Sequence, residues 1–139
     1  MQGDGAVVGV VAVGGGLGSL ARYAVARIMP VGPDAFPWAT FGVNVLGCLL
    51  IGILLVLVTE AWTAHRLWRP FLGVGVLGGF TTFSTYAVEI VGLADGGRPV
   101  LASTYLAGTL VAAFTAVVAG VWFTRAAVGV AVTKGSRDG

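Results

Sequence analysis

Residues 73–86 read GVGVLGGFTTFSTY, with four glycines ahead of four Ser/Thr hydroxyls and no charged side chain. Glycine is a poor helix former, and Gly78 and Gly79 stand directly before the hydroxyls. We therefore expect a membrane-spanning helix that breaks here, where freed carbonyls can meet protein, water or a cation. The alternative is a continuous helix whose Ser/Thr side chains bond back to its own carbonyls.

Charge-free segments extend on both sides of this stretch, at residues 5–21, 35–59, 70–88 and 99–124. Each is close to or above the length of about 20 residues that spans a hydrocarbon core. The sequence thus predicts an all-α membrane protein with a single domain over residues 1–139 and four transmembrane helices. Their expected bounds are about 5–28, 38–60, 70–93 and 100–123, followed by a frayed helix end over residues 125–139.

The composition agrees with a membrane bundle. Of 139 residues, 57% are hydrophobic and 10% are charged, whereas soluble domains carry about 25% charged residues. The 23 glycines indicate close helix packing, since small residues let helix backbones approach in lipid. A net charge of +2 gives no nucleic-acid footprint, and one cysteine excludes an intrachain disulfide. No P-loop, zinc cluster or nucleophile–base pair is present, so no enzyme is expected.

Three strongly polar side chains, Arg22, Asn44 and Glu89, fall within the predicted helices. Such residues are costly in lipid and are functional candidates by default. Arg22 either snorkels to the helix end or has an interior role. Asn44 shares a helix face with Thr40 and is equally suited to an interhelical hydrogen bond or to ligand contact. Glu89 is expected to pair with Arg22 or with a backbone amide.

Aromatic and hydroxyl side chains form two further pairs at helical spacing. Phe83 and Tyr86 share a face, where their ring edges either meet an anion or pack in the core. Tyr105 and Thr109 are four residues apart on the last helix. Cys48 is interpreted as a small packing residue and His65 as a solvated loop residue.

Three segments, in this order, resemble one family of membrane proteins. They are GGGLGSLARY at residues 14–23, Thr40 with Val43-Asn44, and GGFTTFST at residues 78–85. The resemblance is to the Fluc, or CrcB, fluoride channels, and it covers the four-helix layout and nearly all of the length. It implies an antiparallel, dual-topology dimer with two fluoride pores along the subunit interface. It also implies a structural sodium ion at the dimer centre, held by the backbone carbonyls of Gly78 and Thr81.

The same resemblance assigns roles to particular side chains. The implied lining of the fluoride pore is Thr40, Asn44, Phe83, Ser84, Tyr86, Tyr105 and Thr109. Arg22 and Glu89 are assigned structural roles. Two departures are visible: Tyr86 stands where the family usually has phenylalanine, and Ala112 and Ala113 follow Thr109 where another hydroxyl is expected.

The predicted function is passive export of cytoplasmic fluoride through the cell membrane, which lowers fluoride toxicity. Two alternatives are a proton-coupled multidrug-type exporter, with Glu89 as the membrane carboxylate, and a non-transporting membrane assembly subunit. The expected partners are the lipid bilayer, fluoride and a second chain, either identical or paralogous. The positive-inside count of basic residues does not decide whether the second chain is identical or paralogous. The wider count is five to two, with Arg66, Arg69, Arg125, Lys134 and Arg137 on the side of the termini against Arg27 and Arg98, and it favours termini inside. The count is three to two if only Arg66, Arg69 and Arg125 are near enough to act, and this near balance permits both orientations.

Overall fold

The computed structural model describes the backbone of residues 2–61, 63 and 65–135, and the side chains of residues 3–61, 63 and 65–129. All regular elements of this described part are helices. Helix α1 is Gln2–Ile28, and α2 is Trp38–Val56 with π-helical turns continuing over Leu57–Ala61. Helix α3 consists of the π-helical turns of Pro70–Leu77 and the short α-helical segment Gly78–Phe80 that follows them. Helix α4 is Ser84–Asp95, and α5 is Pro99–Gly135.

Four segments of the described chain are long and apolar enough to cross a membrane. They are Gly3–Ile28, Trp38–Ala61, Pro70–Asp95 and Pro99–Gly129. This confirms the prediction of an all-α protein with four membrane-spanning helices, since 20 apolar residues in a helix match the hydrocarbon thickness. The chain is a multi-pass membrane protein.

The third span contains a stretch that belongs to neither α3 nor α4. Thr81, Thr82 and Phe83 lie outside both helices, and Thr81 has an extended backbone with φ −76° and ψ 157°. This conformation removes the carbonyls before it from the regular helical ladder. The partners of the freed groups therefore come from other helices, as described below.

Helix α1 packs closely on α3 because glycines line the contact. A Cβ atom at Gly14 would lie 2.6 Å from the Phe71 carbonyl oxygen, and one at Gly18 would overlap the Val76 carbonyl oxygen. On the other side of the molecule, α2 packs on α5 in the same way, with a Cβ at Gly120 only 2.5 Å from the Leu49 carbonyl oxygen. Backbone approach of this kind replaces the hydrophobic effect, which does not drive helices together in lipid.

Helix α4 packs against α5, and the contact holds the buried apolar core. Its members are Tyr86, Leu93, Ala102 and Tyr105. The turn between the two helices depends on Gly97, whose φ of +78° suits a residue without Cβ. The Arg98 N–H donates to the Leu93 carbonyl at 2.9 Å, which ends α4 in a Schellman-type turn and directs the chain back along α5.

The last helix is longer than predicted, since α5 ends at Gly135 and the expected helix ended near residue 123. Residues 126–132 read AAVGVAV and contain no proline that would stop the helix. Arg125 also pairs with Glu60 at 2.8 Å, which ties the extension to the end of α2. The prediction of a frayed end for residues 125–135 was therefore wrong, and residues 136–139 lie outside the described part.

Candidate functional site

Asn44 on α2 exchanges two hydrogen bonds with the backbone of Thr82. Its amide nitrogen Nδ2 donates to the Thr82 carbonyl at 2.9 Å, and its Oδ1 accepts from the Thr82 N–H at 2.8 Å. An unmet backbone group in hydrocarbon costs several kcal/mol, so this side chain replaces the helical partners that Thr82 lacks. Nδ2 carries two hydrogens, and the second has no partner among the described residues.

The hydroxyls of this stretch also bond within it. Thr81 Oγ1 donates to the Leu77 carbonyl at 2.9 Å, which is the back-bonding considered for a continuous helix. Thr82 Oγ1 accepts from the Thr85 N–H at 3.2 Å and donates to Thr85 Oγ1 at 3.1 Å. Ser84 Oγ lies 3.4 Å from Thr82 Oγ1. Thr82 thus caps the first turn of α4, a role that the sequence analysis did not assign to it.

Helix α1 supplies donors to the last turn of α3. Arg22 Nε donates to the Gly79 carbonyl at 3.2 Å, and Ser19 Oγ donates to the same oxygen at 3.4 Å. In contrast, the carbonyls of Gly78 and Thr81 accept no hydrogen bond from any residue that the structure describes. Gly78 is also exposed on the protein surface. Two backbone oxygens are therefore left available close to where the third span departs from helical geometry.

Glu89 accepts hydrogen bonds from two hydroxyls on neighbouring helices. Thr40 Oγ1 donates to Oε1 at 2.8 Å, and the Tyr105 hydroxyl donates to Oε2 at 2.7 Å. The expected pairing with Arg22 or a backbone amide is therefore wrong. Arg22 is directed at α3 from α1, whereas Glu89 faces α2 and α5. Tyr105 is fully buried in this network.

The two aromatic side chains of the third span differ in exposure. Phe83 is 77% exposed, whereas Tyr86 is buried and donates its hydroxyl to the Leu106 carbonyl at 2.6 Å. Their ring centroids lie 5.9 Å apart at 58°. The Tyr86 ring also meets Tyr105 in an edge arrangement at 5.1 Å. The hydroxyl that distinguishes Tyr86 from a phenylalanine is thus occupied by the backbone of α5.

Thr109 carries a buried hydroxyl that has no hydrogen-bond partner among the described residues. The side chain is only 4% exposed. Four other hydroxyls on α5 donate to the carbonyl four residues earlier, those of Ser103, Thr104, Thr115 and Thr124. Buried polar groups are normally paired, so the unpaired Thr109 hydroxyl is a candidate hydrogen-bond donor for a ligand or water.

Thr109 is also part of the lining of a cavity of about 230 Å³, which we call the lower cavity. Its lining includes Asn44, Cys48, Thr81, Thr82, Phe83, Tyr86 and Thr109. A second cavity of about 250 Å³, which we call the upper cavity, adjoins the lower one at Thr82. Its polar lining comprises Ser19, Arg22, Tyr23, Thr40, Thr82 and Thr85. Thr82 lines both cavities, whereas Asn44 lines the lower one.

The structure therefore brings most of the predicted site residues into one region. Tyr105 lines neither cavity, but its ring packs against Tyr86 of the lower cavity and its hydroxyl donates to Glu89. Sequence reasoning assigned no pore-lining role to Ser19, Cys48, Thr82 or Thr85, although Thr82 and Thr85 belong to the hydroxyl-rich stretch that it singled out. The one signal in the sequence was that the Asn44 amide needs hydrogen-bond partners. That signal does not identify which backbone group will be the partner.

Tyr86 gives a first testable prediction. We expect Tyr86→Phe to keep most of the fluoride flux that the family resemblance implies, because the ring remains and the loss of one hydrogen bond costs about 1 kcal/mol of stability. Tyr86→Ile removes the ring and is expected to lose the flux. The measurement is ion efflux from liposomes containing each purified variant, with size-exclusion profiles as the folding control. Equal flux in all three proteins would show that Tyr86 serves only packing.

Comparison with known proteins gives consistent matches. The profile of one family, described as CrcB-like protein, Camphor Resistance (CrcB), matches residues 9–121. A protein of Streptomyces avermitilis named fluoride-specific ion channel FluC 2 is 59% identical over 109 residues, which cover 78% of this chain and 69% of that protein. A Nocardia farcinica protein of the same name is 55% identical, over 92% of this chain and 91% of its own length.

A third relative, from Streptomyces coelicolor, is named fluoride-specific ion channel FluC 1. It is 55% identical and covers 86% of this chain and 77% of its own length. The matched residues 9–121 include α2, α3 and α4 completely, together with most of α1 and α5. All the predicted site residues lie within this match.

Proposed function

The chain belongs to the CrcB-like family, and from this premise we infer that it is a fluoride-selective ion channel through which cytoplasmic fluoride leaves the cell passively. Its relatives carry the name of fluoride-specific ion channels at up to 59% identity. The structural observation that best supports the proposal is the Asn44–Thr82 pair, which leaves one Asn44 amide N–H without a described partner at the lining of the lower cavity. A channel converts no substrate chemically, so it needs no catalytic residue.

The lining suits a small, strongly hydrated anion. A selective path has to replace the hydration shell of fluoride with hydrogen-bond donors. We propose that Asn44 Nδ2 and Thr109 Oγ1 supply donors in the lower cavity, together with the ring edges of Phe83 and Tyr86. Neither hydroxyl nor amide carries a full positive charge, so the ion can leave again. Thr40, Ser84 and Tyr105 would continue the polar path beyond Asn44.

Passive export is sufficient to remove fluoride. Hydrogen fluoride is a weak acid that crosses membranes in its neutral form and ionises inside the cell. An inside-negative potential of 100 mV favours the exit of one anion by about 2.3 kcal/mol. The channel would therefore keep internal fluoride low without ATP or proton coupling. Glu89, the carboxylate that a proton-coupled exporter would need, is bound to two hydroxyls.

We propose that the working channel is an antiparallel dimer whose interface closes the two cavities into pores. Large apolar side chains remain exposed along the described helices, as expected for lipid contact or for a second chain. S. avermitilis has two proteins that resemble this chain, named FluC 2 and FluC 3. The second chain of the dimer can therefore be either a paralogue or an identical copy. The sequence count of basic residues also allows both.

The carbonyls of Gly78 and Thr81 fit the implied sodium ion. Both are hard oxygen donors that lack hydrogen-bond partners in the described part, and Gly78 is exposed where a second copy can approach. Two oxygens from each of two chains would give four ligands at the dimer centre. Bound there, the ion would link the two copies electrostatically. Within the chain, the Asn44–Thr82 pair and Thr81 Oγ1 hold the carbonyl-bearing backbone in place.

Dual topology gives a second prediction. In a Cys48→Ala background, single cysteines at Gly3 or Ser136 are expected to react with an impermeant thiol reagent from both sides of intact membranes. The expectation follows from the weak bias of basic residues, because orientation is set by the Lys/Arg asymmetry of short loops. Labelling from the inside alone would exclude the homodimer and favour a paralogous partner.

The function itself is tested by efflux from liposomes that contain the purified chain. We expect external fluoride, followed with a fluoride electrode, to rise once valinomycin balances the charge. Liposomes loaded with chloride are the matched control and are expected to release no chloride. Liposomes that release neither ion would favour the non-transporting assembly subunit.

A further inference from the structure

Cys48 occupies a position in the lower cavity that its sequence context does not reveal. It lies four residues after Asn44 on α2, so the two side chains share a helix face. It is half-buried, carries a free thiol and lines the same cavity as Asn44 and Thr109. The interpretation of Cys48 as a packing residue therefore does not account for its surroundings.

The opposite wall of the cavity explains why a thiol matters there. On α5, Thr109 belongs to the cavity lining and its buried hydroxyl is unpaired among the described residues, but the next cavity residues on that helix, Leu110 and Ala113, are apolar. Ile51 on α2 is apolar as well. Beyond Thr109 the thiol is thus the one polar side-chain group that the described lining offers.

We propose that Cys48 lines the fluoride path next to Thr109, and that covalent modification of its thiol closes the channel. The inference rests on the proposed function and concerns the part of the path beyond Asn44. A neutral S–H is a weak donor and a weak acceptor, so it contacts a passing anion without holding it. It takes the place of the hydroxyl that α5 lacks at Ala112 and Ala113.

The chain has a single cysteine, so the native protein already serves as a single-cysteine reporter. Methyl methanethiosulfonate is a suitable probe because it is small and neutral. The Cys48 sulfur attacks its divalent sulfur, a new S–S bond forms, and methanesulfinate leaves with the electron pair of the broken S–S bond. The thiol proton passes to the buffer. The product carries a methylthio group in the cavity, and dithiothreitol removes it.

The test is fluoride efflux from proteoliposomes before and after this reaction, with mass spectrometry to count the attached groups. We expect modification of the native protein to lower the flux about tenfold or more, and dithiothreitol to restore it, because a narrow pore tolerates little added volume. Cys48→Ser keeps a hydrogen-bond donor at this position and is expected to be insensitive to the reagent, with its flux before and after treatment equal. Cys48→Ala is expected to be insensitive as well and to conduct less than Cys48→Ser.

The other outcomes separate this proposal from the function on which it rests. Fully modified protein that conducts like the unmodified protein would overturn the role of Cys48 and leave the fluoride channel intact. A thiol that stays unmodified under conditions in which denatured protein reacts would also overturn it, because a residue on the path has to be accessible. Absence of fluoride flux in the unmodified protein would overturn both proposals.

Discussion

Replacement of Asn44 by aspartate is expected to abolish fluoride flux in a protein that still inserts into the membrane and folds. An ionised carboxylate only accepts hydrogen bonds, so the 2.9 Å bond to the Thr82 carbonyl loses its donor. The carboxylate also adds a negative charge to the path. Two like charges 4 Å apart repel by about 4 kcal/mol at an effective dielectric constant of 20, which corresponds to roughly a thousandfold lower occupancy.

Two further variants make this result interpretable. Asn44→Ala removes the donor without adding charge and is expected to lose the flux as well. Thr115→Ala is the matched control, because the Thr115 hydroxyl is exposed and donates only to its own helix at 2.7 Å. Flux is measured by fluoride electrode and folding by size exclusion. Normal flux through correctly folded Asn44→Asp would remove Asn44 from the path.

Gly18→Ala is expected to disrupt the packing of α1 on α3. The added Cβ would overlap the Val76 carbonyl oxygen and lie 2.7 Å from the Phe80 nitrogen. Both are backbone atoms, so the helices have to separate, and overpacking of this kind costs about 1–3 kcal/mol or more. Separation also moves Gly79 away from Arg22 and Ser19, which donate to its carbonyl. Loss of the folded species in detergent and a lower unfolding temperature are the expected results.

Gly16→Ala on the same helix is the matched control. No atom lies within 4 Å of a Cβ built at Gly16. Because alanine is the better helix former by about 1 kcal/mol, this variant is expected to be at least as stable as the native protein. Equal unfolding temperatures for Gly18→Ala and the native protein would show that α1 and α3 are not in close contact.

The four spans are predictable because hydrocarbon thickness fixes their length and charged residues interrupt the apolar segments. Three of the four expected helices begin and end within about three residues of the observed ones. The exception is α5, which continues over residues 126–135, just after Arg125 pairs with Glu60 at the end of α2. Hydropathy does not detect such a contact between distant residues.

The site was harder to predict than the spans. Spacing along one helix shows that Thr40 and Asn44 share a face, but it does not show how that helix is rotated against its neighbours. The predicted partner of Glu89 was therefore wrong: the Glu89 carboxylate accepts hydrogen bonds from Thr40 and Tyr105 and makes none with Arg22. The unpaired state of Thr109 likewise follows only from the packing around it.

The most direct test of a fluoride-selective, uncoupled channel is the reversal potential across a planar bilayer that contains the purified chain. With a fluoride gradient and equal chloride on both sides, the potential is expected to shift by about 59 mV for each tenfold change in the gradient. Gradients of chloride or pH alone are expected to leave it at zero. A reversal potential that follows chloride would contradict fluoride selectivity, and one that follows pH would contradict passive, uncoupled conduction.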